Sequence, residues 1–190
     1  MRVPMVDIRI ARPEDAPAIA RVHVVVWHST YRGLIADALI DEVTLEQREA
    51  MWTDILTAYT ATHPVLVAED FGIGICGFGN AGPLRGEAVQ GYSGEFKTLY
   101  LLPAYQRRGI GRALLGRLAV ELLQRGHASA LAWVLASNPA CGFYEAMGGA
   151  ICAQRLAPDS EDGDQDEAGS PADLAYGWSD LATLAKVIQP

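Results

Sequence analysis

Apolar and polar positions alternate with a period of two from Val6 to Ala11, which predicts a first strand. Pro13-Glu14-Asp15 then starts a helix running to about Tyr31, with its acids at the positive end of the helix dipole. A second helix is predicted over about Thr44 to Tyr59, with Thr44 as N-cap and Gln47 at the capping-box position. Residues 64–68 and 71–82 read as two strands of a hairpin, Gly72 and Gly74 marking the turn, and 83–94 reads as a glycine-rich loop. The apolar run Phe96 to Leu102 predicts a buried strand that ends at Pro103. The helix after it carries Ile110, Leu114, Leu118 and Leu122 on one face and stops at Gly126. Ser129 to Leu135 reads as another buried strand, and Pro139 to Met147 as a short helix closed by Gly148-Gly149. Ala150 to Leu156 and Leu174 to Trp178 are the last two strands, paired with each other. Strands alternating with helices over 190 residues predict one α/β (α+β) domain spanning 1–190.

Composition narrows the function classes. Half of the residues are hydrophobic, enough for a substantial core. No cationic stretch followed by an apolar run opens the chain, and no apolar segment reaches about 18 residues, so the expectation is a cytoplasmic protein without a membrane partner. Cys76, Cys141 and Cys152 are odd in number and widely spaced, which argues against a disulfide framework, and the four histidines lack ligand spacing, so no metal is expected. The net charge of −8 is local: seven acids and no bases lie between Pro158 and Asp173. That stretch, about 157–173, reads as a flexible solvated loop, or as a field that draws in a cationic acceptor. With no basic stripe interleaved with aromatics, nucleic acid is not an expected partner. A homodimer stays open, since no residue specifies it.

The most informative chemistry lies just after the Phe96–Leu102 strand. Gln106-Arg107-Arg108-Gly109-Ile110-Gly111-Arg112 is a glycine-punctuated turn that opens a helix, so free backbone N–H groups gather at the positive end of a dipole beside three guanidinium groups. This is a seat for a phosphate, most naturally a pyrophosphate, and the glycines let it come close to the backbone. A Rossmann fingerprint would need glycine or alanine three residues after Gly111, where Leu114 stands. A Walker A loop would need Lys then Ser or Thr after Gly116, where the chain has Arg117 and Leu118.

The strand and the Gln106–Arg112 turn resemble the acetyl-CoA-binding motif of the GNAT superfamily of acyl-CoA-dependent N-acyltransferases. Trp133 to Gly148, with Asn138, Pro139, Phe143 and Tyr144, is similar to that family's second conserved block. Ile8 to Tyr31 and the run Trp27 to Gly33 resemble its first strand and helix. The resemblance implies a three-layer fold with a mixed, mostly antiparallel, splayed sheet flanked by helices. It also implies acetyl-CoA as co-substrate. Its diphosphate would lie on Arg107, Arg108, Gly109, Ile110, Gly111 and Arg112, with Gln106 at the start of the turn. Its pantetheine would pair with backbone groups around Tyr100, Leu101 and Leu102 and meet Asn138.

The same resemblance implies acetyl transfer to a primary amine, of a small molecule or a peptide, by direct attack in a ternary complex. The alternative is a regulatory module that binds acyl-CoA without turnover. Expulsion of a thiolate is easier when an O–H donates to it, and Tyr144 holds the matching place; otherwise it is a core tyrosine. An amine with a pKa near ~10 needs a base, for which Glu95 is the candidate, with Glu69 behind it, although Glu95 also reads as a solvated acid at a loop exit. Asn138 serves equally as N-cap before Pro139. Cys141 reads as a small buried helix residue. Trp27 and Tyr31 lie on one helix face, as acceptor contacts or as core.

Overall fold

In a computed structural model the described residues are 6–86, 88–156 and 172–188. Seven strands form one sheet: β1 (Val6–Ile10), β2 (Val65–Asp70), β3 (Gly74–Pro83), β4 (Gly94–Leu101), β5 (Ala130–Leu135), β6 (Ala150–Leu156) and β7 (Ala172–Trp178). Their order is β1-β2-β3-β4-β5-β7-β6, antiparallel throughout except for β4 against β5. The helices are α1 (Ala16–Tyr31), α2 (Asp37–Asp41), α3 (Leu45–Ala58), α4 (Ile110–Gln124), α5 (Ala140–Ala146) and α6 (Leu181–Ile188).

Strand periodicity sorts the apolar residues onto two faces. In β2, Leu66 and Ala68 join the core under α4, while Val65 and Val67 join the core under α1 and α3. The predicted face of α4 is buried, with Leu114, Leu118 and Leu122 fully enclosed. Each such leucine contributes about 1.5–3 kcal/mol by leaving water. α3 begins as its sequence predicts: Thr44 Oγ1 accepts from Gln47 N–H at 3.3 Å and Gln47 Oε1 from Thr44 N–H at 3.1 Å.

Three expectations need adjustment. α2 and α6 were not foreseen, α2 being too short to show a helical period and α6 lying at the end of the chain, where it packs against α4. The loop after β3 is shorter than its glycines suggest, because β3 runs on to Pro83 and pairs there with Gly94, the first residue of β4. The expected acidic loop lies outside the described residues apart from its last two positions, which belong to β7.

One irregularity positions the site. β4 and β5 pair only at Gly94 with Ala130 and at Glu95 with Leu131. A Cβ on Gly94 would lie 3.2 Å from Ser129 O, so glycine permits the close approach at this root. Beyond Leu131, β5 is held along its other edge by β7, while β4 stays paired with β3 through a bulge between Asn80 and Ala81. The two parallel strands therefore separate, and the sheet opens between them.

Candidate active site

The anion turn forms as its residues dictate. After a 3₁₀ turn at Pro103–Tyr105, Arg107 takes φ 60° and Gly109 φ 82°. The left-handed pair turns the chain back into α4. Ala113 is the first residue whose N–H reaches back into the turn, at 3.0 Å from Gly109 O. The N–H groups from Arg107 to Gly111 have no backbone acceptor among the described residues. Arg107 and Arg108 are exposed, with the Arg108 guanidinium 5.5 Å from the centre of the Tyr105 ring. Arg112 is also exposed, one turn further on. A Cβ on Gly111 would meet only ordinary contacts, 3.4 Å to Leu101 and 3.5 Å to Phe143, so packing does not demand glycine there.

Gln106 has a different task from the arginines beside it. Its Nε2 donates to Leu101 O at 3.1 Å and ties the turn to the end of β4. Leu102 N–H donates to Cys76 O in β3 at 2.9 Å. By strand alternation the backbone groups of Leu101 then face away from β3, into the gap. Across that gap Asn138 is buried, and its Oδ1 accepts from Ala140 N–H at 2.9 Å. The N-cap of α5 is Pro139, one residue later than expected, and Asn138 holds the first N–H of the helix from just outside it; its side-chain NH₂ makes no hydrogen bond among the described residues.

Tyr144 lies on α5 and is 9% exposed, its ring packed on Tyr176, Trp178 and Phe143. Burial, with Tyr31 and Cys141 nearby, raises its pKa well above the ordinary phenol value, so the hydroxyl keeps its proton. Tyr100, on β4, is raised too, by burial first and then by the nearby Tyr31. Three tyrosines from α1, β4 and α5 thus converge. Sequence reasoning counted only the backbone of Tyr100 and missed its side chain, because its strand reads as a plain apolar run.

On the α1/α3 side of the sheet a cleft of about 690 Å³ opens, lined by Tyr31 and Tyr100 but not by Tyr144. Trp27 and Tyr31 both line it, with ring centres 4.3 Å apart, and so do Tyr100 and Trp133. His23, which carried no expectation, lines it as well: its Nδ1 accepts from Trp52 Nε1–H at 3.1 Å, and burial, with Arg48 adding to it, pushes its pKa down to about 4. Arg48 was missed although a signal existed, since Arg48, Trp52, Ile55 and Tyr59 share the inward stripe of α3.

Glu95 does not line this cleft. It is 2% exposed, and both carboxylate oxygens are taken by Arg85: Nη2 at 2.6 Å from Oε1, and Nε and the backbone N–H at 3.2 and 3.0 Å from Oε2. Arg85, unlike its partner, is on the cleft wall. Glu69 is engaged by Arg9 at 2.7 Å. The structure brings Tyr144, Tyr31 and Trp27 together and leaves both carboxylates apart from them. Among the described residues no group of three or more His, Cys, Asp or Glu could hold a metal ion, and no helix is long and apolar enough to cross a membrane.

Known proteins are similar to this chain in sequence and in fold. Residues 72–156 match the FR47-like protein family. Over 184 residues, 97% of this chain and 99% of the relative, the sequence is 35% identical to the uncharacterized N-acetyltransferase YuaI of Bacillus subtilis. It is 28% identical to the L-amino acid N-acyltransferase MnaT of Escherichia coli, over 78% of this chain and 81% of that one. The fold is similar to that of yncA from Salmonella typhimurium, solved with its cofactor acetyl-CoA, at a TM-score of 0.67 and 23% identity over 93% of this chain and 94% of the other.

Proposed function

Since this chain belongs to the GNAT superfamily of N-acetyltransferases, we propose that it transfers acetyl from acetyl-CoA to a primary amine by direct attack in a ternary complex. The observation that carries this reading is the parting of β4 and β5 beyond Glu95 and Leu131, directly before a turn whose N–H groups lack backbone acceptors. That gap and that turn fit a pantetheine arm and its diphosphate. Leu101 offers backbone groups to the arm, Asn138 offers its NH₂, and the turn from Arg107 to Arg112 offers amides and guanidinium charge to the phosphates.

The chemistry follows from the residues at the inner end of the gap. The amine nitrogen, approaching through the cleft between α1, α3 and the sheet, forms a bond to the thioester carbonyl carbon as the carbon–sulfur bond breaks. Tyr144 gives its hydroxyl proton to the departing sulfur and recovers one from water. Burial keeps that proton on the hydroxyl, which is then available to the sulfur as negative charge develops there. Both Glu95 oxygens are held by Arg85 and the residue is not on the cleft wall, so the carboxylate is not positioned to take the amine proton. We therefore assign Glu95 to fixing Arg85 in the cleft wall, and the amine proton to water. Trp27 and Tyr31 form the apolar side of the acceptor site.

Thermal unfolding with acetyl-CoA, followed by a thiol-release panel of amines, tests the reading. At a hundredfold excess over Kd the ligand adds about 2.7 kcal/mol, a Tm rise of roughly 5–10 °C for a chain of this size. A folded protein that shows no rise would refute it.

A further inference from the structure

The cations of the cleft are not treated alike. Arg85 is neutralised by Glu95 at 2.6 Å, and Arg155 by Asp173 at 3.3 Å. Arg48 has no carboxylate within ion-pair distance among the described residues. The polar side-chain contact of its guanidinium is Met51 Sδ, 3.3 Å from Nη1, and its Nε is buried without a hydrogen-bond partner. Among the described residues on the cleft wall the carboxylate is that of Asp173, which Arg155 engages. His23 is neutral, and Arg48 itself helps to keep it so. Trp52 and Tyr100 are aromatic, and Trp27 adds a second buried donor, Nε1, that also lacks an acceptor.

A half-buried guanidinium and an indole N–H without acceptors are costly unless something supplies oxygen atoms and negative charge. The remaining cation on the wall, Lys97, adds to the same bias. A carboxylate suits Arg48 best, because the guanidinium fork matches its two oxygens. Arg48, Tyr31 and Tyr100 line the same cleft. An anion at Arg48 thus lies within the acceptor site proposed above. A polyamine would meet like charge there.

We propose that Arg48 is the anion seat of the acceptor site, and that the acceptor is a primary amine bearing a carboxylate, as in a free amino acid. This rests on the acetyl-transfer reading above. It is tested by thiol release with matched pairs, each an amino acid and the amine left when its carboxylate is removed (phenylalanine with phenethylamine, methionine with 3-methylthiopropylamine), with spermidine beside them. The wild type is expected to favour the carboxylate-bearing member by about a hundredfold in kcat/KM, as for loss of one partner of a hydrogen-bonded charge pair. Arg48→Met is expected to abolish that preference, chiefly through KM, and Arg48→Lys to keep part of it.

Equal or better turnover of the decarboxylated amines or spermidine by the wild type overturns the anion seat while leaving acetyl transfer intact; this arm needs no variant to fold. An Arg48→Met variant that is folded and keeps the full preference overturns the role of Arg48. Absence of thiol release with every acceptor, together with no acetyl-CoA-induced rise in Tm, overturns the acetyl-transfer reading itself. A rise in Tm without turnover of any pair overturns the amino-acid class alone.

Discussion

Replacing Tyr144 by phenylalanine separates chemistry from architecture. The ring lies 5.3 Å from Phe143, 5.9 Å from Tyr176 and 6.0 Å from Trp178, centre to centre, and phenylalanine preserves all three contacts. The hydroxyl has no hydrogen bond to another described residue, so its loss leaves no buried partner unsatisfied. The expected change in stability is below about 1 kcal/mol. Acetyl-CoA binding, carried by the turn and the gap, is expected to stay within about twofold. Turnover is a different matter. Without a positioned donor the sulfur leaves as a free thiolate, and loss of general acid catalysis costs about 10²- to 10⁴-fold in kcat, or about 3–5 kcal/mol of barrier. Because the wild-type phenol is raised by burial, its contribution should persist undiminished to pH values of about 10. The measurements are initial rates of thiol release at saturating acetyl-CoA, with Tm and calorimetric Kd on the same samples. A folded variant with a kcat within about threefold of wild type would refute the donor role.

Three further outcomes follow from the same geometry. Gly111→Ala is expected to leave Tm unchanged or raise stability by up to about 1 kcal/mol, since its Cβ finds ordinary contacts in a helix, yet to weaken acetyl-CoA about tenfold or more; an unchanged Kd would remove the turn from the site. Glu95→Gln, which keeps the shape but weakens the grip on Arg85, is expected to retain turnover. The pH dependence of kcat/KM should then track the pKa of whichever amine is offered, and a single enzyme pKa common to all acceptors, lost in Glu95→Gln, would restore Glu95 as base. His23 carries a stability signature. Its folded pKa near 4 lies below the unfolded value of about 6.5, so as pH falls the unfolded chain takes up the proton first. Stability should fall by about 3 kcal/mol between those values, and chemical denaturation of His23→Gln should show that part of the slope gone.

What the sequence determined by itself is whatever depends on neighbours along the chain. The anion turn was legible because its strand, its glycines, its arginines and its helix are contiguous, and free N–H groups follow from any helix start. The Thr44–Gln47 cap, the buried face of α4 and the hold of Asn138 on the first N–H of α5 are of the same kind. Only the tertiary structure decided where β4 and β5 part, because that depends on β3 and β7 holding their outer edges. It also decided that Glu95, ten residues from Arg85 along the chain, is enclosed with it and kept from the cleft. The meeting of Tyr31, Tyr100 and Tyr144 was likewise invisible, since three elements far apart in sequence contribute one hydroxyl each. Local periodicity reports which face of an element is buried, not which distant residue it is buried against. The turn proposed as the cofactor seat, made of consecutive residues, could therefore be read directly, whereas the cleft proposed for the acceptor, assembled from α1, α3, β4 and β5, could not.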